Sequence, residues 1–259
     1  MDLNINLNLP EPVNKTLSPI GKSVGLTIST IWNGVWAPVT TWALKKSYKA
    51  QQDFLIYKQN VENELAKISK ENLTEPRTSL IGPAIEASRY YIDEPDIRLM
   101  FAKLIAADMD LSKKNDVHHS FVEIIKQMSP TDAKVFMDLE NPLQLMWCKL
   151  HLKDSPGVAD FVTDIYLSQE FPEYSHEVCV SISNLARLGL IFIPTRNTGS
   201  IIMGGNDQDM IARFEKTHFY NEIVQDIELP TSIYSSFEIK TYEGLATELG
   251  VSFRKICLS

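Results

Sequence analysis

Residues 81–110 read IGPAIEASRYYIDEPDIRLMFAKLIAADMD, and this run decides the fold class because it divides into two helices. Gly82 and Pro83 predict the start of the first helix, over about 80–92. Asp93 is expected to cap the second helix, since a short acidic side chain can accept from the first free N–H groups. Its buried face is predicted from apolar residues three and four apart, which are Ile97, Met100, Phe101, Leu104 and Ile105. The run therefore indicates a helical unit.

The chain on either side of this run continues in helices. Residues 47–70 carry a narrow apolar seam at helical spacing, formed by Phe54, Tyr57, Val61, Leu65 and Ile68. A shorter helix is expected downstream, around Phe121, Ile124, Ile125 and Met128. Ser129 and Pro130 then predict a new helix over 130–140, with the serine as its cap and the proline in its first position.

The segments that follow are predicted to resemble a winged helix. A helix or a looser segment is expected near 142–152 and a helix near 157–169. A further helix ends at Gly189, where glycine stops the helical pattern. Short β-rich runs would supply the wing and one further strand; they lie at 190–193, 201–203 and 237–239, with a turn at 197–200. The order helix, helix, strand, turn, strand is that of a winged helix.

The predicted fold class is mainly α, with a helical N-terminal half followed by a winged-helix-like α+β C-terminal half. The helical domain is expected over 19–128 and the winged-helix-like domain over 129–259. Residues 1–18 are rich in Asn and Pro and are expected to form an extended or disordered leader. Residues 241–257 are expected to form a closing helix, interrupted at Gly250.

Charge is uneven along the chain. The chain carries 25 Lys and Arg against 33 Asp and Glu, a net charge of −8. Residues 1–128 hold 15 of each sign, which leaves 10 basic and 18 acidic residues in 129–259. Because nucleic-acid binding draws on clustered Lys and Arg, no nucleic-acid partner is expected. The three cysteines are too few and odd in number for a disulfide framework, which favours a reducing compartment and a cytoplasmic location.

Residues 23–44, SVGLTISTIWNGVWAPVTTWAL, contain no charged side chain. The length could span a bilayer, but the Ser, Thr, Asn, Gly and Pro content makes the span marginal. Such a surface suits close packing against another helix, within the chain or in an oligomer, or contact with lipid at the inner membrane. The expected membrane or partner contacts are Ile28, Ile31, Trp32, Val35, Trp36, Val39 and Trp42.

A specific motif lies within residues 77–130, in the run quoted above and in HHSFVEIIKQMSP at 118–130. Together these runs resemble the central signature of the abortive-infection alpha family, through residues that include Gly82, Pro83, Glu86, Tyr90, Glu94, Pro95, Phe101, Phe121 and Pro130. The resemblance implies a role in bacterial defence against phage. It brings no established reaction and no catalytic residues.

Two short pairs of residues could bind a metal. Cys148 and His151 mirror His176 and Cys179, and four such ligands could hold zinc tetrahedrally. The alternative is that both cysteines are small buried residues on separate helices, with the histidines at the helix ends. We expect the second arrangement, and therefore no metal and no cofactor.

Two predicted helix starts carry groups that could serve in catalysis. His118 and His119 precede one helix, and Asp93, Glu94 and Asp96 surround the start of another. A helix N-terminus accounts for both groups, because it attracts acceptors and acidic side chains. The chain also has no phosphate-binding glycine motif. We therefore do not expect an enzyme.

A winged helix would also raise the possibility of DNA binding. Its reading helix and wing would present Ser181, Ser183, Asn184, Arg187, Arg196 and Asn197. The acidic surroundings weaken attraction to phosphates, so a protein contact is preferred.

The sequence thus predicts a non-enzymatic anti-phage protein that acts through protein contacts. Segment 23–44 is the candidate effector, engaging the inner membrane from the cytoplasmic side. The partner would be another protein or a further copy of the chain. Two alternatives stay open: a protein-interaction adaptor or immunity-type partner, and a winged-helix DNA-binding regulator.

Overall fold

The structure is a computed structural model that describes residues 47–193 and 208–258, together with Thr40, Trp42 and Ala43. The chain divides into two compact units, Met1–Lys126 and Gln127–Ser259.

The described part of the first unit is helical. Its elements are α1 Tyr48–Ala66, α2 Thr78–Ser88, α3 Pro95–Asp108, a 3-10 turn Lys114–Asp116 and α4 Ser120–Lys126. Helix α3 is the centre of the packing, since it contacts α1, α2 and α4. The apolar seam predicted for α1 is confirmed in the four residues Phe54, Tyr57, Val61 and Leu65, which are all buried.

Two predicted helix starts in this unit are displaced. Helix α2 begins at Thr78, so Pro83 lies inside it rather than at its start. The proline cannot donate to the Ser79 carbonyl, but Ser79 is exposed and water can take the place of the lost donor. The N-cap of α3 is Glu94, not Asp93, because Pro95 takes the first helical position.

The second unit is built on a sheet, and the predicted winged helix is wrong. Its elements are α5 Pro130–Asp138, β1 Leu143–Leu152, β2 Val158–Ile165, α6 His176–Arg187, β3 Ile191–Phe192, α7 Gln208–Phe214, α8 His218–Glu228, β4 Tyr234–Ala246 and α9 Glu248–Cys257. The strands form one antiparallel sheet in the order β2-β1-β4-β3. The structure has strands β1 and β2 in place of the helix or looser segment predicted near 142–152 and the helix predicted near 157–169, and the two strands pair as a hairpin.

The long central strands explain this difference. Strand β1 pairs with β4 along its whole length, from Leu143 opposite Gly244 to Leu152 opposite Tyr234. The closing helix predicted over 241–257 therefore starts only after β4 ends, and α9 runs without interruption through Gly250.

Local signals place the remaining helices of the second unit. Ser129 accepts from the Asp132 N–H at 3.0 Å, and Asp132 accepts from the Ser129 N–H at 2.7 Å, so the predicted start of α5 is a complete capping box. Helix α6 ends where predicted, because Gly189 adopts a positive φ of 75° that glycine tolerates readily. The predicted wing turn and its second strand, at 197–200 and 201–203, lie outside the described residues.

Candidate interaction surface

Over residues 146–151 of β1, the sheet of the second unit has one apolar face and one polar face. On β1, Met146, Cys148 and Leu150 are buried in a core that also includes Ile165, Cys179, Met210, Phe214 and Ile223. Because side chains alternate along a strand, Trp147, Lys149 and His151 lie on the opposite face. The side chains of these three residues are half-buried.

The register identifies the neighbours of these residues. Trp147 is opposite Lys240, and Lys149 is opposite Glu238. Directly paired residues of antiparallel strands share a face. We name this surface the polar sheet face, defined by Trp147, Lys149, His151, Glu238, Lys240 and Tyr242.

The polar sheet face combines an aromatic ring with both signs of charge. The Lys149 ammonium lies 3.8 Å from the centroid of the Trp147 ring, within range of a cation–π contact. Glu238 lies 3.4 Å from the Lys240 ammonium and 3.8 Å from the His151 imidazole. Since the side chains of this group are between a third and a half exposed, the charges remain accessible to a partner.

A hydrogen-bonded group borders this face where β2 ends. Tyr242 donates to the Asp164 carboxylate at 2.5 Å, and the Asp164 backbone N–H donates to the same phenol oxygen at 2.9 Å. Asp164 has a φ of +60°, which is uncommon for a residue other than glycine. Ser183 of α6 adds a weaker hydrogen bond of 3.3 Å to the same carboxylate. The tyrosine therefore holds a residue of positive φ within β2, where the pairing of β2 with β1 is irregular.

The cysteine side chains are poor candidates for chemistry. Burial raises the pKa of both the Cys148 and the Cys179 thiol to about 12, so neither forms a thiolate readily near neutral pH.

The predicted zinc ligands do not converge. Cys148 faces the core, whereas His151 is on the polar sheet face of the same strand. His176 is exposed at the start of α6, and Cys179 is buried one turn later. Within the described ranges, no group of three or more His, Cys, Asp or Glu side chains is placed to hold a metal ion.

Two of the residues predicted to read DNA form side-chain hydrogen bonds within the second unit. Asn184 donates to Asp132 at 2.9 Å, and Arg187 donates to the side-chain oxygens of Asn184 and Gln127 at 2.8 Å and 2.9 Å. Ser181 is buried. Arg196 and Asn197 lie outside the described residues. The described strands and helices also do not form the winged helix from which the DNA-binding alternative was inferred.

The histidines and carboxylates of the first unit sit at helix starts. The His118 Nδ1 atom accepts from the Ser120 N–H at 3.1 Å, so this imidazole supports the start of α4. Glu94 is the N-cap residue of α3, and Asp96 lies in its first turn. Both groups thus lie at helix starts, although the Glu94 side chain forms no capping hydrogen bond.

Of the seven predicted contact residues in segment 23–44, only Trp42 lies in the described part. Trp42 is half-buried in a helical position, and the adjacent Ala43 is buried. Ile28, Ile31, Trp32, Val35, Trp36 and Val39 lie outside the described residues, as does the predicted leader over 1–18. No helix in the described part of the chain combines the length and apolar character that a membrane crossing requires.

The polar sheet face itself was not anticipated. The sequence predicts a helix or a looser segment over 142–152, and a helix would scatter Trp147, Lys149 and His151 around its axis. The available signal was the strict alternation of larger polar or aromatic residues with Cys148 and Leu150, which is the period of a strand.

The described chain thus consists of a helical first unit and a sheet-based second unit that carries a partly exposed polar face. Comparison with known families gives its relationship: the abortive infection alpha model matches residues 49–257, and the chain belongs to this family. The resemblance expected from residues 77–130 is thus confirmed over most of the chain. Neither the curated proteins nor the solved structures contain a match.

Proposed function

We propose that this protein acts in abortive infection by binding a protein partner through the polar sheet face, without a catalytic centre of its own. Membership of the abortive infection alpha family supports the biological role. One observation supports binding through the polar sheet face: the Lys149 ammonium lies 3.8 Å from the centroid of the Trp147 ring, and both side chains are partly exposed.

The chemistry of the face indicates what the partner must offer. Trp147 supplies apolar area with a polar N–H, the residue type most often found at the centre of protein interfaces. Glu238 and Lys240 add charges of opposite sign around it, so the partner would carry complementary charges near an apolar contact. Exposed charge pairs contribute more to orientation and association rate than to affinity.

A protection assay tests this proposal. Cells that express the protein are challenged with phage, and plaque formation is compared for wild type, Trp147→Ala and Lys149→Glu. Both variants should lose most of the protection, because each removes one half of the cation–π pair. Lys216→Glu is the matched control, since Lys216 is exposed in the same unit and the change in net charge is the same.

The stability of each variant is measured by thermal unfolding, so that a misfolded chain is not mistaken for one with a damaged surface. Full protection by folded Trp147→Ala and Lys149→Glu would refute the role of the polar sheet face.

Segment 23–44 supplies a second candidate activity, engagement of the inner membrane. Its support is the composition of the segment, 22 residues without a charge and with three of the four tryptophans of the chain. Tryptophan favours the membrane interface, where the ring is shielded and the N–H stays hydrated.

Leakage from vesicles of phosphatidylethanolamine and phosphatidylglycerol tests membrane engagement. The intact protein should release a trapped dye, and the triple variant Trp32→Asp, Trp36→Asp, Trp42→Asp should not. Fractionation of cells before and after infection would show whether the protein moves to the membrane.

Absence of leakage and of relocation would refute membrane action. In that case an adaptor or immunity-type role remains, in which the segment is buried in a complex and its tryptophans are shielded from acrylamide quenching.

A further inference from the structure

Three stacked aromatic rings lie beside β2, the outer strand of the sheet. The Phe219 ring of α8 is nearly parallel to the Tyr174 ring, with centroids 3.8 Å apart and planes 15° apart. It is also nearly parallel to the Phe161 ring of β2, at 6.1 Å and 5°. Phe219 and Tyr174 pack against the core that Cys148 and Leu150 enter from β1, so the stack lies on the side of the sheet away from the polar sheet face. We call Phe161, Tyr174 and Phe219 the aromatic shelf.

The chain covers the aromatic shelf only in part. Phe161 is 46 % exposed although it lies in the interior of a strand, and Tyr174 and Phe219 are half-buried. In the sheet order β2 is the outer strand, so no described strand lies beyond Phe161. Because an aromatic ring has a negative face, the exposed part of the shelf can receive a cationic group.

The segments that carry these rings are strongly acidic. Residues 158–175 and 218–228 together hold seven Asp and Glu side chains and no Lys or Arg. Residues 215–217, just before α8, add one residue of each sign. Residues 129–259 as a whole are more balanced, with 10 basic residues against 18 acidic ones. Such a concentration of carboxylates attracts cations and repels nucleic acid.

Two of these carboxylates are held at the start of α8, beside Phe219 in the chain. Glu173, which precedes Tyr174, accepts from the His218 N–H at 3.0 Å. The Glu222 carboxylate lies 3.4 Å from the His218 imidazole, and the Glu222 side chain is 59 % exposed. A carboxylate has about four acceptor sites, so both groups can accept from further donors.

We propose that the aromatic shelf binds an arginine side chain in a basic segment of a partner protein. The guanidinium stacks on the exposed Phe161 ring, and basic groups of the same segment pair with Glu173 and Glu222. Arginine suits this surface better than lysine, because its planar guanidinium stacks on an aromatic face and is more weakly hydrated than an ammonium.

Charge complementarity distinguishes this occupant from the others. An apolar segment would gain nothing from the seven carboxylates, and nucleic acid or an anionic lipid surface would be repelled by them. A second copy of the chain, with a net charge of −8, is disfavoured for the same reason. The contact goes beyond the proposed function, because it uses the opposite side of the sheet from the polar sheet face.

Fluorescence anisotropy of the full chain with a labelled peptide tests this inference. The probe is a fluorescein-labelled peptide of arginine, glycine and serine repeats, compared with the same peptide carrying lysine or glutamate in place of arginine. The arginine peptide should bind most tightly, the lysine peptide more weakly and the glutamate peptide not at all. Binding should weaken as salt is added, since the carboxylates are partly exposed.

Three results with the wild-type chain would overturn the proposal. They are absence of binding by the arginine peptide at low ionic strength, equal affinity for the arginine and lysine peptides, and binding of the glutamate peptide or of single-stranded DNA at the affinity of the arginine peptide.

Variants at Phe161 separate stacking from apolar contact. Phe161→Leu retains apolar area without an aromatic face and should weaken binding of the arginine peptide at least about threefold, whereas Phe161→Tyr should bind like wild type. Phe192→Leu is the matched control, since Phe192 is 56 % exposed on another strand of the same sheet and this variant should bind like wild type. Equal affinities of folded Phe161→Leu and wild type, with folding checked by thermal unfolding, would also overturn the proposal.

Glu222→Gln tests the contribution of charge. This variant should bind the arginine peptide more weakly at low salt and lose part of the salt dependence, and an unchanged salt profile would contradict pairing with Glu222. The outcome is independent of the proposed function, because neither Phe161 nor Glu222 belongs to the polar sheet face.

Discussion

Arg77 and Asp108 form a two-point contact that joins the start of α2 to the end of α3. The fully buried Asp108 carboxylate accepts from the Arg77 backbone N–H at 2.7 Å and from its Nε–H at 2.6 Å. The same guanidinium donates to the Val117 carbonyl at 3.0 Å. The side chain of Arg77, the N-cap residue of α2, forms no capping hydrogen bond. The Asp108 carboxylate, which is distant in sequence, contacts the start of α2 instead.

Asp108→Asn should lower the free energy of unfolding by about 3 kcal/mol, since it removes one partner of a buried pair and leaves a cation beside a neutral amide. Urea denaturation measures this change. Glu64→Gln should cost less than about 1 kcal/mol, because its partner Lys67 is mostly exposed. Equal losses of unfolding free energy in the two variants would show that the buried Asp108 pair contributes no more than the exposed Glu64–Lys67 pair.

Glycine substitutions should act in opposite directions in two helices. Gly82→Ala in α2 should stabilise the protein by about 0.5–1 kcal/mol, because an added Cβ meets nothing within 4 Å and alanine favours a helix. Gly250→Ala in α9 should destabilise it by more than about 2 kcal/mol, because the methyl group would overlap the Leu190 carbonyl. Thermal unfolding of both variants checks the signs, and destabilisation by Gly82→Ala would contradict the packing described for α2.

Two variants at Asp164, a residue of β2 with positive φ, should separate the effect of backbone strain from that of the hydrogen bond. Asp164→Ala and Asp164→Gly both remove the acceptor of the Tyr242 hydroxyl, but only alanine retains a Cβ at a φ of +60°. Asp164→Gly should therefore be more stable than Asp164→Ala by about 1 kcal/mol. Chemical denaturation of both proteins gives the difference, and equal stabilities would mean that the backbone carries no strain.

Stability should fall at alkaline pH because of the buried thiols. Burial raises the pKa of Cys148 to about 12, from about 9 in the unfolded chain. The neutral thiol is thus retained in the folded state, and its contribution is complete below pH 9 and lost as pH rises towards 12. The free energy of unfolding of wild type should decline across this window more steeply than that of Cys148→Ala. Parallel pH profiles would argue against a protonated, buried thiol.

The sequence predicted elements whose signals are local. The seam of α1 depends on residues such as Phe54 and Val61, which recur within one helix, and the start of α5 depends on Ser129 and Asp132, three positions apart. Each signal reports a contact between near neighbours. The displaced start of α2 shows the limit, because its cap comes from Asp108 in a different helix and no local pattern announces it.

The sheet could not be predicted in the same way. Strand β1 buries Leu143 and Leu145 on the side of Trp147 and buries Met146 on the other side, so the alternation of polar and apolar residues is confined to 147–151 and is too short to mark the whole strand. Its long partner β4 also lies far along the chain. The polar sheet face was missed for this reason, since it exists only when β1 and β4 are paired.

The pairing of β1 with β4 also determines when the second unit can fold during synthesis. Strand β1 leaves the ribosome long before residues 234–246. Until those residues emerge, β1 can pair only with β2, and the edge that will pair with β4 has no partner strand. A nascent chain halted in this interval exposes a ten-residue strand that could join a neighbouring chain instead. The second unit, and with it any recognition by its polar sheet face, therefore becomes available only after β4 has been synthesised.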